Sequence, residues 1–127
     1  MAHPCDNLEK LFHEPKRLAI VSALCSADSG MLFSDLKAEC DLTDGNLSRH
    51  LKALEEAGFV NIVKTGAGRR ALTRARLTEN GRHNFLRYLQ NLERVLKNAV
   101  EAFQPTDNVV DAFSGLENSL KSLIENA

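Results

Sequence analysis

The segment from residue 44 to residue 57 constrains the fold more than any other part of this sequence. Three leucines recur there at helical spacing: Leu47, Leu51 and Leu54. Thr43 stands where an N-cap is needed, and Gly58 stands where a helix commonly ends. The sequence therefore predicts an amphipathic helix over residues 44–57, with one apolar face and one polar face.

A shorter helix is predicted just before it. Ser34 is the candidate N-cap of a helix over residues 35–40, in which Leu36 faces inward. The turn-forming residues 41–44 separate the two helices. Two short helices joined by a tight turn are typical of a helix-turn-helix motif.

Two β-like segments follow the second helix. Residues 59–65 and 71–77 are rich in residues that favour strands, and a loop with two glycines lies between them. This arrangement predicts a β-hairpin. On its second strand Arg74 and Arg76 fall on one face, because side chains alternate along a strand. A minimal strand is also expected at residues 31–33.

Helices are predicted on both sides of this central region. Pro15 opens a helix that continues to Cys25, and Thr78 caps a long helix ending near residue 104. The long helix carries an apolar heptad seam: Phe85, Leu89, Leu92, Leu96, Ala99 and Phe103. A final amphipathic helix is expected over residues 110–124. The seam is expected to pack in a two-fold homodimer; packing on the final helix of the same chain is the alternative.

The order of these elements resembles the winged helix-turn-helix of bacterial transcription regulators of the MarR and ArsR type. Residues 47–60 look like the recognition helix of that family and its first wing strand, and residues 68–70 and 76–82 are similar to the wing and the next helix. The resemblance covers roughly residues 8–104. It implies a mostly α fold with a small β-hairpin wing, a DNA-binding domain over residues 8–82 and C-terminal dimerisation helices over residues 83–127. The paired-cysteine motif of ArsR-type metal sensors is missing from residues 32–36.

The charge is unevenly distributed along the chain. The total is -1, but residues 1–42 carry a net charge of -3, residues 43–82 carry +4 and residues 83–127 carry -2. A basic middle region in a nearly neutral chain is suited to binding a polyanion. No apolar run reaches the roughly 20 residues that cross a bilayer, and residues 1–10 contain no apolar h-region of the kind that a signal peptide needs. We therefore expect a soluble cytoplasmic protein.

The candidate DNA-binding residues lie on the polar face of the second helix and on the wing. They are Thr43, Asp44, Gly45, Asn46, Ser48, Arg49, Lys52, Lys64, Arg69 and Arg70. In a major groove Arg49 is suited to guanine and Asn46 to adenine, while the wing, residues 66–70, would lie on the minor groove or the backbone. Asp44 has two open roles: its carboxylate stabilises only the cap and the dipole of the helix N-terminus, or it accepts a hydrogen bond from a cytosine amine.

Other functions have weaker support in the sequence. A winged helix that serves as a protein-interaction module is the alternative to DNA binding. No paired carboxylates or nucleophile motif indicate an enzyme. Neither a metal site nor a cofactor is expected, since the four histidines and three cysteines match no ligand spacing. We expect His50 to be a packed or capping histidine, Cys25 to be a buried structural thiol, and Cys40 to lie nearer the surface. The sequence identifies no effector.

Overall fold

A computed structural model describes residues 9–103 and the single residues Gly115 and Asn118. Its elements are α1 (Pro15–Cys25), β1 (Met31–Leu32), α2 (Phe33–Glu39), α3 (Asp44–Glu56), β2 (Val60–Thr65), a 3-10 turn (Gly68–Arg70), β3 (Leu72–Leu77) and α4 (Glu79–Ala102). The predicted fold class, mostly helical with a small β-hairpin wing, is confirmed. Lys10–Asn84 forms one compact unit, and the described residues from Phe85 onward belong to a second. None of the helices in the described part is long and apolar enough to cross a membrane.

The predicted starts of α1 and α3 are confirmed by their caps. Glu14 precedes α1, where its Oε2 accepts a hydrogen bond from the backbone N–H of Arg17 at 2.8 Å, and Pro15 occupies the first turn. Thr43 Oγ1 accepts from the backbone N–H of Asn46 at 3.2 Å. Both side chains satisfy a backbone donor that the helix itself leaves unpaired.

The start of α2 differs from the prediction. The helix begins at Phe33, two residues earlier than expected, and Ser34 lies inside it rather than at the cap. No side chain caps this helix. Its start follows directly from β1, because only Met31 and Leu32 pair with β3 and the chain turns into a helix at the next residue. The strand predicted at residues 31–33 is therefore one residue shorter.

The three strands form one antiparallel sheet in the order β1-β3-β2. The predicted hairpin is confirmed, with Val60 opposite Leu77 and Ile62 opposite Ala75. Val60, Ala75 and Leu77 are buried on the inner face, whereas Arg74 and Arg76 are exposed on the outer face. The alternation of side chains along the strands thus gives the sheet one buried face and one solvent-exposed face.

The core of the first unit is built from all its helices and the inner face of the sheet. Its fully or nearly fully buried side chains are Phe12, Ile20, Val21, Leu24, Leu36, Leu47, Leu51, Leu54, Val60 and Ala75. The rings of Phe12 and Phe59 stack with their centroids 4.9 Å apart. This contact joins the segment before α1 to the start of the hairpin.

The described residues of the second unit belong mainly to α4. Phe85 and Tyr88 are buried and their rings stack at 5.9 Å, but Leu96 is 41% exposed and Phe103 is 87% exposed. The predicted seam is thus buried at its start and open toward its end. The helix ends at Ala102, two residues before the predicted end. The final helix predicted over residues 110–124 lies outside the described residues.

The junction of the hairpin with α4 is closely packed. The Phe59 carbonyl accepts from the backbone N–H of Thr78 at 3.0 Å. The hydroxyl of Thr78 donates to the Gly58 carbonyl at 2.6 Å and accepts from the N–H of Gly81 at 2.9 Å, so Thr78 is the N-cap that the sequence predicted. A Cβ atom added at Gly81 would overlap the backbone of Phe59. Only glycine fits where α4 crosses the end of the hairpin.

We expect Gly81→Ala to lower the free energy of unfolding by about 1–3 kcal/mol, because the added methyl group must displace backbone. Gly45→Ala is the matched control, since it also adds a methyl to a helix but meets no atom within 4 Å. The control should stabilise the protein by up to about 1 kcal/mol through helix propensity. Urea unfolding of both variants measures the difference. Equal effects would refute the close packing of Gly81 on Phe59.

Candidate nucleic-acid interface

The two faces of α3 are sharply divided. Leu47, Leu51 and Leu54 are fully buried. The opposite face holds only exposed residues: Asp44, Gly45, Asn46, Ser48, Arg49 and Lys52. All six belong to the predicted binding set, and the structure brings them together on one solvent-facing surface beside Thr43, which is also exposed. Most of these side chains carry hydrogen-bonding groups suited to base edges or phosphates.

The wing presents a second exposed group. Lys64 lies near the end of β2, and Arg69 lies in the 3-10 turn that joins the strands. Both residues are exposed, as are Gly66 and Gly68. These two glycines have φ angles of 82° and 59°, a backbone region in which glycine is strongly favoured. The side chain of Arg70 lies outside the described part of the structure.

An ion pair gives Asp44 a partner that the sequence did not reveal. Lys37 Nζ of α2 lies 3.0 Å from Asp44 Oδ1, the first residue of α3. An exposed pair of this kind stabilises a fold by only about 0–1 kcal/mol. Lys37 was missed because it lies seven positions before Asp44, on the other side of the turn, where no helical spacing connects them.

His50 occupies the buried side of α3, as expected. It is 5% exposed, and its Nδ1 lies 3.8 Å from Glu14 Oε2. Burial lowers the pKa of His50, and the Glu14 carboxylate opposes this shift while the positive charges of Arg49 and Arg17 add to it. Burial would raise the pKa of Glu14, but hydrogen bonds from the backbone N–H groups of Arg17 and Lys16 help bring that pKa below its ordinary value.

The arginines near the sheet partly engage the acidic first third of the chain. Arg74 Nη1 donates to the Gly30 carbonyl at 3.3 Å, and Arg82 Nη2 pairs with Asp28 Oδ1 at 3.2 Å. Arg74 and Arg82 therefore have partners within the fold. The hydrogen bond from Arg74 to a backbone carbonyl links β3 to the turn before β1.

The cysteines within the described residues are both partly or fully enclosed. Cys25 is half-buried, and Cys40 is buried, so the expectation that Cys40 lies near the surface is wrong. Cys40 caps the end of α2, where its N–H bonds to the Leu36 carbonyl and its side chain turns inward. Burial raises the pKa of both thiols. Among residues 9–103 no group of three or more histidine, cysteine or acidic side chains is placed to hold a metal ion.

Comparison with known proteins shows a family to which this chain is similar, and several similar proteins. Residues 16–96 match the family described as winged helix DNA-binding domain. An uncharacterised protein of Methanocaldococcus jannaschii is 37% identical over 89 residues, which span 70% of this chain and 96% of that protein. A transcriptional regulator homologue from Pyrococcus horikoshii has a solved structure with 31% identity and a TM-score of 0.67, over 72% of this chain and 89% of that chain. The solved structure of MarR shares the fold with a TM-score of 0.65 at 19% identity, over 93% of this chain and 83% of that chain.

The titration of His50 predicts a loss of stability in mild acid. Because the folded state lowers the pKa of His50 below its ordinary 6.5, the stability that neutral His50 contributes is complete above pH 6.5. It is lost as the pH falls through the folded pKa, with a slope of at most about 1.4 kcal/mol per pH unit. Glu14 adds to this loss only below its ordinary pKa of 4.5.

Urea unfolding between pH 7.5 and pH 5 measures the slope. His50→Gln, which cannot be protonated in this range, should remove most of it. His83→Gln, a change at an exposed histidine of α4, should keep the slope of the wild type. If His50→Gln unfolds with the same pH dependence as the wild type, buried His50 is not its source.

Proposed function

The chain belongs to the winged helix DNA-binding domain family, and we propose that it is a transcriptional regulator that binds double-stranded DNA in a sequence-specific manner. The observation that carries the proposal is the exposed polar face of α3, whose opposite face is locked into the core by three buried leucines. A helix held in this way can present its polar side to a major groove without losing its own packing.

The N-terminal half of α3 would supply the base contacts. Arg49 can donate two hydrogen bonds to guanine O6 and N7, and Asn46 can pair with adenine in the same two-point manner. Ser48 suits either a base or a phosphate. Gly45 has no side chain to hold the helix away from the duplex, and the N-terminus of α3 favours a nearby phosphate.

The wing would supply contacts that depend less on sequence. Lys64, Arg69 and Arg70 carry positive charge at or near the hairpin turn, and arginine there can enter a minor groove or bind flanking phosphates. Lys52 adds charge on α3. The net charge of +4 over residues 43–82 supports this division of roles.

The proposal assigns the chain no catalytic role, because its family and fold are those of transcriptional regulators. The alternative, a winged helix that binds only protein, would keep the same buried leucines. It would show no salt-dependent affinity for DNA, and this difference separates the two functions experimentally.

We expect selection from random duplex DNA to yield a binding site whose affinity falls steeply with salt, by roughly 0.9 log units per log unit of salt for each phosphate contact. On that site Arg49→Ala should lose about 1–3 kcal/mol and relax the base preference at one position. Arg69→Ala combined with Arg70→Ala should weaken selected and random duplexes alike and flatten the salt dependence. Fluorescence anisotropy at two salt concentrations measures these effects.

Arg87→Ala is the matched control, because Arg87 is an exposed arginine of α4 outside the proposed surface. It should bind as the wild type does. Absence of binding to any selected duplex at low salt would refute the function. Equal loss by Arg49→Ala on selected and random DNA would refute its role in base reading.

We further propose that two copies associate through α4. The helix has 24 residues and is therefore about 36 Å long. Its apolar seam is open at Leu96 and Phe103, which supports a second copy as the covering partner. A two-fold dimer can set two recognition helices about 34 Å apart, one turn of DNA, so that a palindromic site is read twice.

Leu92→Glu combined with Leu96→Glu should convert the dimer to monomers, because two carboxylates would enter an apolar seam. Affinity for a palindromic site should fall by about a hundredfold or more as avidity is lost, while affinity for a half-site changes little. Gln90→Glu with Asn98→Glu makes the same change of charge at exposed positions of α4 and should remain dimeric. Light scattering that finds a wild-type monomer at tens of micromolar would contradict the proposal.

A further inference from the structure

We propose that Lys37, a residue of α2 outside the predicted binding set, controls DNA affinity by neutralising Asp44 at the entrance of the interface. The inference rests on the proposed DNA-binding function and adds a positioning residue to it. Lys37 would act through Asp44 rather than through a contact of its own with DNA.

The first support is the position of Asp44. It is the only acidic residue in the first nine residues of α3, where the candidate base-reading groups lie. A carboxylate at this point repels the phosphates that the helix N-terminus otherwise attracts. Lys37 Nζ lies 3.0 Å from Asp44 Oδ1, and the pair as a whole carries no net charge.

The second support is a cleft in which the pair meets the strand that follows the wing. Lys37 and Asp44 line one open cleft of about 280 Å³ together with Leu72 and Thr73 of β3. A duplex held by both α3 and the wing would lie over this cleft. Since such a duplex displaces water, it lowers the local dielectric constant. An unpaired carboxylate there would therefore repel the phosphates more strongly than it would across bulk water.

The pair also decides between the two roles left open for Asp44. A carboxylate held by an ammonium group at 3.0 Å is a weakened acceptor for a cytosine amine, because the lysine already satisfies part of its charge. Asp44 therefore stabilises the N-terminus of α3 through the helix dipole. Lys37 neutralises the carboxylate charge that would otherwise repel DNA phosphates.

A double-mutant cycle on the selected duplex tests the proposal. Lys37→Gln should weaken binding by about tenfold, since it leaves Asp44 uncompensated. In the Asp44→Asn background the same change should alter affinity by no more than about twofold, because there is no carboxylate left to neutralise. Lys37→Arg should bind within about threefold of the wild type, since it keeps the charge.

Asp35→Asn is the matched control for net charge, because Asp35 is an exposed acidic residue of the same helix α2. Combined with Lys37→Gln it restores the charge of the wild type but should not restore affinity. The variant with both Lys37→Gln and Asp44→Asn should also keep the wild-type slope of log affinity against log salt. Loss of one phosphate contact would reduce the magnitude of that slope by roughly 0.9. Thermal unfolding should differ little among all the variants, as expected for an exposed pair.

Equal losses from Lys37→Gln in both backgrounds would overturn the inference and would identify Lys37 as a direct phosphate contact. Rescue by Asp35→Asn would overturn it as well, since the effect would then be one of total charge. These results are distinct from a failure of the proposed function, in which the wild type itself binds no selected duplex.

Discussion

The burial of one face of α3 is the interaction on which the rest of the structure depends. Leu47, Leu51 and Leu54 are all fully buried, so rotation of the helix about its axis would expose at least one of them. The polar residues between them are therefore kept in solvent by the packing of their neighbours. The orientation of the candidate interface is therefore a consequence of how these leucines pack in the core.

The sequence predicts well those elements whose signals are local. The caps at Thr43 and Thr78, the leucine spacing of α3 and the glycine-containing loop each lie within a few residues of the element that they define. The start of α2 is different, because Phe33 begins a helix that no side chain caps, directly after two residues fixed by pairing with β3. That pairing joins residues more than forty positions apart, and a local pattern does not contain it.

In the candidate site, too, features with a local signal could be predicted from the sequence, and features that depend on tertiary contacts could not. Exposure of Asn46, Ser48 and Arg49 could be predicted, because helical periodicity assigns them to the face opposite the leucines. The partners of buried or charged groups could not. Glu14 reaches His50 from the cap of α1, and Lys37 reaches Asp44 across a turn, so both contacts depend on how separate helices meet. Electrostatic detail of this kind is a tertiary property.

The hydrogen bond between Phe59 and Thr78 has a consequence for how such a chain can evolve. It joins the two ends of the hairpin at its base, where Val60 also pairs with Leu77. Matched insertions or deletions farther out on β2 and β3 can therefore change the hairpin by about 3.3 Å per residue while its base stays closed. The reach of the wing and the chemistry of α3 are thus free to diverge separately among relatives, each under its own selection.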